Sequence, residues 1–140
     1  MHALVPPVAV RTAGLAALAG AGWLLAGLVD SPDANIGLGL VLLGSLVLTV
    51  VTWGAIDAVR SARRGRPDRE GLLVWLLSAA AFGLLTSLVT GVGVAVSEGE
   101  VPVGPLLSAA VTWAGFVAVP GCLSYGLTRN LAEARARRAG

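Results

Sequence analysis

The sequence predicts an all-α integral membrane protein built as a bundle of four transmembrane helices, and three observations carry that expectation. Of the 140 residues, 56% are apolar and 13% charged, whereas soluble domains run near a quarter charged. Four stretches contain no Asp, Glu, Lys or Arg: residues 12–29, 34–56, 71–97 and 101–128. All ten basic side chains are arginines, confined to the start, the middle and the end of the chain. A chain this short has too little interior to hide so much apolar surface in water. Roughly 20 apolar residues in a helix cross a hydrocarbon core of about 30 Å. Lipid leaves only helices or closed barrels. Barrel strands would alternate apolar and polar residues, and Leu40-Val41-Leu42-Leu43 does not. A water-soluble four-helix bundle would need a charged face repeating every 3.6 residues, and the charge-free stretches leave no room for one.

Helix 1 is expected over about 8–29. Pro6-Pro7 opens it, where a missing N–H costs little, and Arg11 is expected to snorkel to the interface. The apolar run is longer than a signal peptide's core of about 7–15 residues, and Ser31-Pro32-Asp33-Ala34 makes a weak cleavage site. Asp30 to Asp33 reads as a tight turn. Helix 2 is expected over about 35–64, stopped by a left-handed Gly65 and by Pro67. Helix 3, about 69–97, starts beside Asp68 and Glu70, acids that suit a positive dipole end. A short polar loop from Ser97 to Gly104 leads into helix 4, about 104–128, followed by a tail over 129–140, expected helical from Leu127 to Arg138 with Glu133 four residues before Arg137. All 140 residues read as one membrane domain, with no loop long enough to fold separately.

Orientation follows from the arginines. The side holding Arg11, the middle loop and the tail carries ten Arg against four acids (Asp57, Asp68, Glu70 and Glu133), a balance of +6. Asp30, Asp33, Glu98 and Glu100 give the other side −4. Basic residues in short loops stay in the cytoplasm, so both termini and the 60–69 loop are expected inside a plasma membrane. The all-arginine usage suggests a GC-rich bacterium and its inner membrane.

An internal repeat at an offset of 60 is one further reading. Leu24–Val29 resembles Leu84–Val89, and Val51-Thr52-Trp53 recurs as Val111-Thr112-Trp113. A tandem two-helix hairpin would produce both matches, although Trp53 and Trp113 fall at different expected depths.

Small residues give the main packing signal. Ala79, Gly83, Ser87, Gly91 and Ala95 recur every four residues in helix 3, and Ala110, Ala114, Ala118, Cys122 and Gly126 do so in helix 4. Such rows let membrane helices approach closely; whether they face each other or a second copy stays open at this stage. Asp57, an acid at the edge of helix 2, reads as an interfacial ion pair with Arg60 or Arg64, or alternatively as an ion or proton site. Thr112, Trp113, Pro120, Ser124 and Tyr125 form a candidate polar pocket around an expected kink at Pro120. Trp53 and Trp75 suit an interfacial aromatic belt, while Trp23 and Trp113 are expected deeper. Arg60, Arg63, Arg64, Arg66 and Arg69 are expected to meet anionic lipid headgroups.

Catalytic signatures are missing from the sequence. It has no GxSxG, Walker or HExxH motif, and one histidine, His2, and one cysteine, Cys122, cannot build a metal site or a disulfide. No catalytic residue, cofactor or nucleic acid is expected. Two function classes remain. One is a non-catalytic accessory or scaffold subunit that packs with itself or with other membrane proteins. The other is a small-solute or ion permease or channel acting as an oligomer, which needs Thr49, Thr52, Ser78, Thr86, Thr90, Ser108 and Thr112 to converge on one polar path.

Overall fold

The computed structural model describes residues 4–28, 32–98 and 103–139. These form four helices: α1 (Val5–Ala26), α2 (Pro32–Arg63), α3 (Asp68–Glu98) and α4 (Val103–Ala139). Each is long and apolar enough to cross a membrane. His2, Asp30, Glu100 and the centres of two of the connections lie outside the described residues. The boundaries differ from expectation mainly at α4, which takes in the tail as one continuous helix and runs unbroken through Pro120. α1 starts earlier than expected, because Pro6 and Pro7 fit its first turn.

The α2 terminus follows its sequence. Gly65 adopts φ +61°, the left-handed conformation that glycine reaches without a Cβ clash. Gly65 N donates to Ala62 O, and Arg66 N donates to Ser61 O. This is the Schellman pattern that satisfies the last carbonyls of a helix.

Four helices joined by short connections alternate in direction, and the contacts agree. Gly22, late in α1, lies against Leu42, early in α2. Ser87, in the second half of α3, reaches Leu106, early in α4. α4 packs extensively on both α3 and α2, α1 packs on α3 and α2, and α2 and α3 barely touch. Chain neighbours α2 and α3 therefore sit diagonally. A two-fold repeat of hairpins would instead place α1 diagonal to α3 and α2 diagonal to α4. The offset-60 similarity thus has no two-fold counterpart in the packing.

The core lies between the helices and contains Leu15, Leu46, Val50, Trp75, Ala79, Phe82, Val117 and Tyr125. The outer surface is Leu- and Val-rich, with Leu84, Leu88, Val111 and Leu123 exposed. This distribution suits a molecule whose surroundings are as apolar as its interior, where tight packing rather than the hydrophobic effect holds helices together.

Candidate functional site

The most distinctive chemistry is at the end of the bundle where α1 and α3 start and α2 stops. Arg11 lies six residues inside α1 and Asp57 six residues before the end of α2, each about 9 Å from its helix end. Arg11 donates from Nε at 3.0 Å and from Nη2 at 2.5 Å, both to Asp57 Oδ2. Its Nη1 donates to Pro7 O at 3.0 Å. Its Cζ sits 5.3 Å from the centre of the Trp75 ring, within cation–π range. The two side chains are 11% and 14% exposed. One guanidinium thus joins three helices through a carboxylate, a carbonyl and an indole face.

This corrects three sequence expectations. Arg11 does not snorkel; it is buried and paired. Asp57 does not pair with Arg60 or Arg64, because Arg11 occupies it from the neighbouring helix. Trp75 is fully buried in the core instead of lying in an interfacial belt. As a candidate ion or proton site, Asp57 is already engaged by two donors.

A second charged cluster closes the same end between α3 and α4. Arg129 Nε contacts Asp68 Oδ1 at the start of α3 and also Glu133 Oε1, at 3.2 Å. Glu133 was expected to pair with Arg137. It pairs backward instead, because Arg129 is the member of that helix face turned toward the bundle. Arg129 is buried, as is Tyr125 one turn earlier. Four buried polar atoms, Thr12 Oγ1, Trp75 Nε1, Tyr125 Oη and Arg129 Nη1, have no hydrogen-bond partner among the described residues. All four lie toward this end.

The small-residue row of α3 meets α4. Gly83 lies where a Cβ would strike the Ala110 carbonyl and Ala114, and Gly91 lies against Leu106. Ser87 Oγ donates to Leu106 O at 2.6 Å. Ala79 is buried and Ala95 half-buried. On α4, Ala110 and Ala114 face this row, and Ala118 and Cys122 pack at the edge of the core. Gly126 has open space where a side chain would begin. Beyond Ala114 the buried α4 positions are Val117, Gly121 and Tyr125 instead. Gly121 admits the Trp75 indole, and Gly71 admits the Tyr125 ring. Gly54 of α2 lies against Ser124 and the Gly121 carbonyl, so the absence of a side chain there lets α2 and α4 approach closely.

The five residues of the candidate polar pocket are not gathered together. Thr112 is exposed. Trp113 meets Phe82 edge-on at 6.2 Å and Phe116 at 6.1 Å. Pro120 is half-buried. Ser124 donates to Gly121 O at 3.1 Å and faces α2. Tyr125 faces α3. The seven hydroxyls required for a path also diverge. Ser78, Thr86 and Thr90 donate to carbonyls of their own helix, which is how such groups are satisfied in apolar surroundings. Ser108 and Thr112 are exposed on α4, while Thr49 and Thr52 lie on the outer side of α2. Trp23 is on the outer surface, 78% exposed. Arg60, Arg63, Arg64, Arg66 and Arg69 are all exposed, and no group of His, Cys, Asp and Glu able to hold a metal occurs among the described residues.

The fold and its charged end define a multi-pass helical membrane protein. Comparison with protein-family models, curated proteins and solved structures found no match.

Proposed function

We propose that the chain is a non-catalytic plasma-membrane protein, with both termini and the arginine-rich loop in the cytoplasm, that associates laterally with membrane helices, its own copies included. The observation that carries this reading is the outer face of α1. Most of what α3 and α4 present to their surroundings is bulky, including Leu76, Leu84, Leu88, Leu107, Val111 and Leu123, with smaller Ala80, Gly93 and Ser108 scattered between them. α1 presents Ala9, Ala13, Ala17 and Gly20, all exposed, and a side chain added at Gly20 would meet nothing. Lipid-facing positions gain nothing from being small, whereas helix–helix contacts do. The small row of α3 is engaged with Ala110 and Ala114 of α4 inside the chain, whereas the α1 row is open to a partner. The hydroxyls bound to their own helices support binding over transport.

Enlarging the face tests this. Ala13→Leu/Ala17→Leu/Gly20→Leu keeps the surface apolar and is expected to leave the monomer folded. Single-molecule photobleaching in vesicles would detect self-association, and cross-linking from Ala17→Cys in native membranes would detect other partners. The expected result is association weakened about tenfold or more, equivalent to about 1.4 kcal/mol. If both the step distribution and the cross-linked species are unchanged, the reading fails.

A further inference from the structure

We infer that the outer side of α2 is a seat for one anionic phospholipid of the leaflet at the arginine-rich end, its phosphate held by Arg60 and one acyl chain lying along the helix. The inference uses a different surface from the α1 face and stands or falls separately. An open groove of about 490 Å³ runs along α2, lined by Leu48, Thr49, Thr52, Trp53, Ile56 and Arg60. Its two ends differ in chemistry. Leu48 and Ile56 give apolar contact, and both are exposed. Trp53 forms one wall, fixed in place where Gly14 of α1 lies against its indole. Arg60 closes the groove toward the membrane surface.

The length fits one leaflet. Leu48 to Arg60 covers about 18 Å of helix at 1.5 Å per residue. Half of a hydrocarbon core of about 30 Å is about 15 Å, so an acyl chain beside Leu48–Ile56 places its phosphate near Arg60.

The charge fits as well, and the reason lies in the Arg11–Asp57 bond. Asp57 is the acid nearest Arg60 in sequence and would neutralise it, but Asp57 Oδ2 accepts both Arg11 donors. Arg60 makes no ion pair among the described residues. Arg63 and Arg64, one turn on, are exposed too. The groove therefore ends in uncompensated guanidinium groups, donors shaped for the oxygens of a phosphate, at the depth where headgroups lie.

The test uses tryptophan quenching of the full chain in phosphatidylcholine vesicles containing a small fraction of phosphatidylglycerol with brominated acyl chains. Half-maximal quenching is expected at a lower mole fraction for brominated phosphatidylglycerol than for brominated phosphatidylcholine. Arg60→Gln should raise that fraction about fivefold, the value of one arginine at an anionic surface, and Arg60→Lys should raise it less. Trp53→Phe should remove the selective component, and Arg137→Gln/Arg138→Gln should leave it unchanged. Circular dichroism and gel filtration check that the Arg60 variants fold; Arg60 is exposed and outside the core. Equal quenching by both lipids would overturn the assignment, as would a wild-type response from Arg60→Gln or an equal shift from the tail variant. Displacement by millimolar inorganic phosphate would also overturn it, since a free anion would then be the ligand.

Discussion

Removing either member of the Arg11–Asp57 pair strands the other among helix side chains, and an unpaired charge in such surroundings costs on the order of 3 kcal/mol or more. Asp57→Asn and Arg11→Gln are therefore each expected to lower unfolding stability in detergent micelles by about that amount. Arg11→Met/Asp57→Val, which removes both charges and stays close to the original volume, should recover most of the loss. If the double variant unfolds as readily as Asp57→Asn, the pair is not what joins α1 to α2. The residues of this site were visible in the sequence, but their pairing was not. Along one chain the nearest opposite charges are i+3 and i+4 neighbours, which suggests Asp57 with Arg60 and Glu133 with Arg137. In the fold Asp57 turns toward α1 and Arg129 toward Asp68, because polar atoms inside the bundle gain more from a partner there than those at its rim. A charge-bearing position at matching depth in antiparallel helices, six residues from each end, was the signal that could have joined Arg11 to Asp57.

The α3–α4 contact depends on which small residues the crossing uses. Gly83 has the Ala110 carbonyl where its Cβ would stand, while Gly126 faces open space. Gly83→Val is expected to destabilise the bundle by about 1–3 kcal/mol, the usual cost of forcing extra volume into a packed contact. Gly126→Ala should be neutral or slightly stabilising, since alanine favours helix over glycine by about 1 kcal/mol. Thermal unfolding of both variants in the same micelle separates them, and equal behaviour would mean that the crossing is looser than described. The α3 row was legible because its four-residue steps stay on the contact over Ala79–Gly91. The α4 row was legible only through Ala114. Beyond it the helix turns the row away, and the large residues that replace it, Val117 and Tyr125, carry no sign in sequence of the glycines that receive them.

For the whole molecule, what could be read from sequence and what could not divide along physical lines. The four helices were legible because apolar surroundings force the backbone to satisfy itself, so each charge-free run had one available structure. The neighbour order was not, since Gly54 against Gly121 looks no different in sequence from any other pair of glycines. Orientation depends on neither the order nor the contacts. The proposed orientation rests on all ten arginines lying at one end of the bundle, because positive residues in short loops resist translocation. Cys122 is the single cysteine, so Cys122→Ala gives a clean background for labelling with a membrane-impermeant maleimide. Arg66→Cys is expected to react only after the cells are permeabilised, and Ser31→Cys to react in intact cells. The reverse pattern would invert the proposed topology, yet it would leave the helix packing intact, because every contact within the bundle is indifferent to which face of the membrane is the cytoplasm.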